Sequence, residues 1–327
     1  MARFRVVLTD HRFPDLGPMR EVLEAGEAEL IDAQASTAEA VADATAEADA
    51  VLNVRAPVTE LAIGRMRRCR LITRLGIGVD TVDVAAATRR GIPVANVPNY
   101  CIDEVADHAL TLMLAWARRL SAFVDAAHRG VFEPGRIDVA APPRLRGQTL
   151  GLVGFGRIGR AVALRAGAFG LRTIVFDPYV TAEVVAREGL TLVDLETLLG
   201  SADYVSLHCA LTDETRGLMN DAAFARMKPT ALLVNVARGG IIERAALLAA
   251  LRTGRIAGAA LDVFDVEPLV AGDPLLDAPN LLATPHVAWY SSGSLAELPV
   301  LGAQETVRVL HGEVPRNVVN RQALGAR

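Results

Sequence analysis

Short apolar runs alternate with alanine-rich stretches of helical periodicity along almost the whole chain. Sustained alternation of this kind marks a parallel sheet covered by helices, because parallel strands need a crossover segment between them. The fold class is α/β. The apolar runs fall in two series: 5–10, 29–31, 50–54, 71–75 and 93–97, then 149–155, 173–177, 204–209, 231–237, 257–263 and 281–285. Two doubly wound parallel-sheet domains are the expectation, and 327 residues, 51% of them apolar, suffice for two separate cores. Between the series lies one long amphipathic helical stretch, 102–130, with Gly130 as its stop. A last helical stretch covers 291–311. Pro299 and Gly302 fall inside it, and since proline in a helix interior costs ~3 kcal/mol a break is expected there. The tail PRNVVN, 315–320, has nothing obvious left to pair in the second series and is expected to return to the first domain.

Several function classes are excluded by bulk properties. A formal charge of -4, from 34 basic and 38 acidic residues with no block of like charge, provides no basic stripe, so no nucleic-acid partner is expected. No apolar run approaches the ~18 residues of a membrane span, and the first residues show no cleavable leader pattern. A cytoplasmic protein with no membrane partner is expected. Cys69, Cys101 and Cys209 stand far apart and outside any CxxC spacing, so neither a disulfide framework nor a metal site is implied.

The segment TLGLVGFGRIGRAVALRAGAFG sets Gly154, Gly156 and Gly159 in G-x-G-x-x-G register between an apolar strand and an amphipathic helix. The first glycine permits the tight turn, the second admits a pyrophosphate against the backbone, and the third lets the helix pack on the strand. The helix N-terminus, with Arg157 and Ile158 in its first turn, then offers N–H groups and a partial positive charge. Asp177 follows at the end of the next strand, eighteen residues beyond Gly159, where a carboxylate accepts from a ribose and repels a 2′-phosphate. NAD rather than NADP is the expected coenzyme. A solvated strand-end carboxylate is the plainer alternative for Asp177 taken alone.

Hydride transfer to a 2-keto acid needs a cation for the carboxylate, a proton donor for the carbonyl oxygen and a group that orients the donor. Three late segments offer these at strand-to-loop junctions. LLVNVARGG ends in Arg238, DVFDVEP carries Glu267 before Pro268, and LLATPHVAW carries His286 after Pro285. Singly, each has an ordinary alternative as a surface arginine, a loop carboxylate or a structural histidine.

Together VNVARGG, ALDVFDVEP, NLLATPH and GFGRIG resemble the signature segments of D-isomer-specific 2-hydroxyacid dehydrogenases, over nearly the whole chain. RLGIGVDTVD, FDPYV, GRIAGAALDV and TPHVAWYS are most similar to the subgroup containing the C-terminal binding proteins (CtBP-like). The resemblance implies a flavodoxin-like substrate domain, 1–98 with 288–327, and a Rossmann NAD-binding domain, 99–287, with a cleft between. It implies that Arg238 binds the substrate carboxylate, that His286 is general acid in reduction and base in oxidation, and that Glu267 hydrogen-bonds His286; an adjacent carboxylate favours the imidazolium. Asp262 resembles the acceptor of the nicotinamide carboxamide, and Cys209, Val236 and Ala237 join the coenzyme contacts. Arg74, Ile77 and Gly78 match a carboxylate-binding loop, whose backbone N–H groups can form an anion nest. A homodimer is implied too, with the 102–130 stretch as candidate contact.

Two clues to the substrate side chain conflict. Trp289 is the aromatic that lines the pocket in the CtBP-like subgroup and suggests an apolar group, although domain packing explains it equally. Arg55, in NVRAPVT, stands where phosphoglycerate dehydrogenases carry an arginine for a distal anion. An active NAD-dependent 2-ketoacid reductase is therefore the leading expectation. The alternatives are an NAD(H)-sensing corepressor-like binding protein and a phosphoglycerate or phosphite dehydrogenase variant of the same fold.

Overall fold

A computed structural model of the chain describes residues 2–325. They divide into two compact units, one running to Cys101 and resuming at Tyr290, the other spanning Ile102–Trp289.

In the first unit, strands β1 (Phe4–Leu8), β2 (Ala28–Asp32), β3 (Ala50–Asn53), β4 (Ile72–Arg74) and β5 (Val94–Asn96) alternate with helices α1 (Gly17–Ala25), α2 (Ala38–Thr45), α3 (Glu60–Arg65) and α4 (Val84–Arg89). The strands form one parallel sheet in the order β2-β1-β3-β4-β5, the flavodoxin-like order. Val7, Val51, Ile72 and Val94 are buried under the helices. The loop after β3 is shaped by Asp10, whose carboxylate accepts N–H bonds from Val54, Arg55 and Ala56.

The second unit opens with α5 (Ile102–Ala117) and α6 (Leu120–His128) and continues through β6 (Thr149–Val153), α7 (Arg157–Ala168), β7 (Arg172–Phe176), α8 (Ala182–Ala186), β8 (Thr191–Leu192), α9 (Leu195–Ser201), β9 (Tyr204–Leu207), α10 (Asp221–Arg226), β10 (Leu232–Asn235), α11 (Arg244–Arg252), β11 (Gly258–Leu261) and β12 (Leu281–Ala283). All seven strands are parallel, in the order β12-β11-β10-β9-β6-β7-β8. Strand order reverses about β6, which creates the switch-point crevice between the carboxyl ends of β6 and β9 where ligands bind in such sheets. Six strands are expected from the sequence; β8 is the seventh, only two residues long and without a period of its own.

Two expectations are corrected. The 102–130 stretch is two helices, because Arg119 takes a left-handed backbone (φ 54°) with its guanidinium 4.4 Å from the centre of the Trp116 ring. Gly130, itself left-handed, does end the second of them. The break expected at Pro299 and Gly302 is absent: α12 (Ser292–Leu310), in the first unit, runs unbroken through both. Its start is fixed by a reciprocal Ser291/Ser294 capping box. Burial of Leu298, Val309 and Leu310, at about 1.5–3 kcal/mol for each large side chain, outweighs the hydrogen bond that Pro299 forgoes. Gly302 lets the helix lie against Leu75, whose Cδ2 is 2.1 Å from where a Cβ would stand. The tail returns to the first unit as expected, Val318 bridging Ala95 antiparallel and Asn320 Oδ1 accepting from Val94 N at 2.7 Å.

Candidate active site

In the second unit the glycine turn follows β6. Gly154 has φ +99°, and a Cβ there would stand 2.6 Å from Cys209 N and 2.7 Å from the His208 carbonyl carbon, so the turn is wedged against the end of β9. Gly154→Ala combines backbone strain with an overlap on main chain, and we expect a loss of about 2–4 kcal/mol in unfolding free energy together with failure to bind NADH in a fluorescence titration. The N-terminus of α7 has no side-chain cap and no acidic residue in its first turn, leaving the amides around Arg157, Ile158 and Gly159 to an anion. Asp177 closes the turn from the other side, one oxygen accepting from Phe155 N at 2.8 Å and the other from Tyr179 N at 2.9 Å. These features fit a dinucleotide diphosphate and ribose. Cys209 borders the turn, and burial pushes its thiol up to about 11, so it stays neutral near pH 7. Val236 and Ala237 lie beyond β10, the latter's N–H held by Asn235 Oδ1 at 3.0 Å.

Three adjacent strand ends carry the remaining candidates. Arg238 follows β10; its Nη1 donates to Ala237 O at 2.7 Å and its own carbonyl accepts from Asn235 Nδ2 at 2.8 Å. Gly239 permits the next approach, since a Cβ there would lie 1.9 Å from the Phe264 carbonyl carbon and 2.3 Å from Asp265 N. The segment leading to Glu267 thus crosses directly over the residue after Arg238. Arg244 clamps the same loop, bonding Asp265 at 2.9 Å and pairing with Asp273, whose carboxyl that hydrogen bond lowers below its ordinary value.

Glu267 and His286 meet. His286 Nδ1 is 2.6 Å from Glu267 Oε2, while Glu267 Oε1 accepts from Phe264 N at 2.9 Å. Both side chains keep solvent access, 29% for His286 and 28% for Glu267. His286 has a left-handed backbone (φ 56°), costly for a residue with a Cβ and frequent at functional sites. Asp262 holds it there: His286 N donates to the Asp262 carbonyl at 2.8 Å, and the carboxylate accepts from Val287 N and Ala288 N at 2.9 and 2.7 Å. This anchoring is absent from the sequence reading, which gives Asp262 to the coenzyme alone. Trp289 is half-buried, its Nε1 donating to His286 O at 3.1 Å.

The first unit holds the other candidates. Arg74 ends β4, with Nη1 donating to Leu75 O at 2.9 Å. The Ile77 carbonyl is pinned by Asn96 Nδ2 at 2.6 Å, which turns the Gly78 N–H of the same peptide the opposite way. Arg55 is exposed on the loop organised by Asp10.

With this geometry in hand, comparison with known proteins gives the class. Residues 110–288 match the family model described as D-isomer specific 2-hydroxyacid dehydrogenase, NAD binding domain. The chain belongs to this family, and its second unit carries the NAD-binding domain. The D-3-phosphoglycerate dehydrogenases of Archaeoglobus fulgidus and Methanocaldococcus jannaschii are 37% and 39% identical over 83% and 97% of the chain. The chain spans just over half of their length, 51% and 59%. The D-lactate dehydrogenase of Aquifex aeolicus, solved with NAD and lactic acid, is 26% identical with a TM-score of 0.86, over 97% of this chain and 99% of that one. Among the described residues, no helix is long and apolar enough to cross a membrane.

Proposed function

We propose that this chain is an NAD-dependent D-2-hydroxyacid dehydrogenase that works as a 2-ketoacid reductase. The observation that carries the reading is the 2.6 Å Glu267–His286 pair at a strand end of an NAD-binding domain. With Nδ1–H given to Glu267, the nitrogen left for the substrate is Nε2, which donates a proton to the keto oxygen in reduction and takes it back in oxidation. Bound NADH supplies the hydride. Arg238 holds the substrate carboxylate in a two-pronged ion pair. Ile77 and Gly78 amides, with Arg74, are a second proposed carboxylate contact. Asp262 and Trp289 fix the histidine loop, and in this reading also face coenzyme and substrate.

The test is NADH oxidation with glyoxylate, hydroxypyruvate, pyruvate and phenylpyruvate. NADH binding without turnover of any of them would sink the enzymatic reading and leave the coenzyme-sensing one. A second substrate reading is favoured by Arg55, an exposed cation on the β3 loop, and by the named activity of the two archaeal relatives: a phosphorylated hydroxy acid. NAD reduction with 3-phosphoglycerate, lost in Arg55→Ala, separates the two.

For the coenzyme, Asp177→Ala removes the carboxylate that disfavours a 2′-phosphate, so the kcat/KM ratio of NADPH to NADH rises roughly 10-fold or more, a change of about 1.4 kcal/mol. An unchanged ratio would refute the ribose assignment. The enzyme is proposed to be a homodimer, because α6 buries only Ala126 and leaves Leu120 and Val124 53% and 43% exposed. Light scattering is expected to give twice the chain mass, and Val124→Glu a shift toward the monomer. Among the described residues no disulfide joins its three cysteines, and we place it in the cytoplasm.

A further inference from the structure

One half-buried histidine of the second unit has no part in the machinery so far: His108, on α5, with 21% of its side chain exposed. Its Nε2 lies 3.0 Å from Thr284 Oγ1 and 3.6 Å from Asp262 Oδ1. Thr284 Oγ1 in turn stands 2.6 Å from Asp262 Oδ1. The direction of these bonds follows from counting hydrogens. A hydroxyl has one, and at this distance from a carboxylate it must lie between the two oxygens, so Thr284 Oγ1 accepts from His108 and Nε2 carries the hydrogen. The sequence of donors is then His108 Nε2–H to Thr284 Oγ1–H to Asp262 Oδ1.

Asp262 is wholly buried. A carboxylate in such a place is costly unless donors and a positive partner compensate it, and a charge-assisted chain is stronger than the same bonds between neutral groups. What Asp262 does with its charge is to hold the N–H groups of Val287 and Ala288, the two residues after His286. Those bonds fix the main chain just beyond His286, whose φ is left-handed and whose ring faces Glu267.

We propose that His108 is a positioning residue for His286: through Thr284 it keeps the Asp262 carboxylate aligned, and thereby holds the acid/base histidine in its left-handed, Glu267-facing conformation. This rests on the reading of His286 as the acid/base group.

The experiment compares His108→Leu, His108→Gln, Thr284→Val and the Leu/Val double variant in the full chain, using NADH and glyoxylate. Gln carries an N–H near the place of Nε2 and can still donate to Thr284; Leu cannot. His108→Leu is expected to lower kcat about 10- to 100-fold, as misplacement by a fraction of an ångström does, with KM for glyoxylate changed less than about 3-fold. His108→Gln should recover most of that loss, and the double variant should be no worse than Thr284→Val alone, because both break one chain. A kcat in His108→Leu within about 2-fold of the parent, equal losses in Leu and Gln, additive losses in the double variant, or a fall of kcat in step with Tm would each overturn the proposal. A readout that needs no turnover stands beside it: the low-field proton resonance of His286 Nδ1–H, identified by its loss in Glu267→Gln. It should shift or broaden in His108→Leu and return in His108→Gln. If the parent reduces no keto acid, the functional reading fails and this resonance decides the positioning role by itself; no change in it would refute that role.

Discussion

His286→Gln is expected to cut kcat for keto-acid reduction by about 10³-fold, in the middle of the range that general acid–base groups contribute. NADH binding should stay within about 2-fold of the parent, since in the proposed role the imidazole serves the substrate oxygen and not the coenzyme. Gln matches the size of His and can bond Glu267 through its amide, so the loss isolates proton transfer from packing. Steady-state kinetics with a parallel NADH titration checks it. Retention of more than about a tenth of the parental kcat would remove His286 from the chemistry and, with it, the role of Glu267.

Gly239→Ala is the second large effect. The added methyl would stand 1.9 Å from one main-chain carbon and 2.3 Å from a main-chain nitrogen, where no rotamer change relieves the overlap. Either the end of β10 moves, taking Arg238 with it, or the 264–265 segment moves, taking Glu267. We expect a destabilisation of about 3–5 kcal/mol, at the high end for one substitution, read as a drop in the denaturant midpoint. Activity should fall about 100-fold even where the protein remains folded, because two of the three groups proposed for catalysis lose register together. Gly240→Ala is the control: the nearest atoms to its Cβ would belong to the side chains of Leu211, at 3.1 Å, and Arg216, at 3.5 Å, and both chains can turn away.

How much of this could be seen in the chain alone depends on the range of the interaction. The glycine turn and Asp177 are read from spacing because strand, turn and helix are consecutive and every constraint is local. Strand ends are legible for the same reason, and they set Arg238, Glu267 and His286 at strand-to-loop junctions. The Glu267–His286 bond joins residues 19 apart and came from the likeness of whole segments, not from periodicity. His108 and Thr284 are 176 residues apart, and nothing in an amphipathic helix distinguishes a histidine that reaches into a loop from one that faces water. Gly239 was visible as one of two glycines, but the backbone that presses on it lies 25 residues on. The intrinsic cost of Pro299 is legible in the sequence, whereas the burial that offsets it along α12 arises only in the folded unit. A two-residue strand such as β8 exists only through its neighbour, Ile174 and Val175 of β7 pairing with Thr191 and Leu192.

The first unit is assembled from two segments far apart in the chain, one running to Cys101 and the other resuming at Tyr290. Helix α12 packs against β3 and β4, and Asn320 bonds Val94 N, the Ile92 carbonyl and Thr88 Oγ1. During synthesis, therefore, the strands made earlier are finished later: their sheet keeps an uncovered face until α12 and Asn320 have left the ribosome, whereas the contiguous second unit has all its strands as soon as Ala283 emerges. A nascent chain halted short of Ser292 should carry a coenzyme-binding domain ahead of which some hundred residues still wait for their missing helix, and that waiting stretch is where proteases and chaperones will find it.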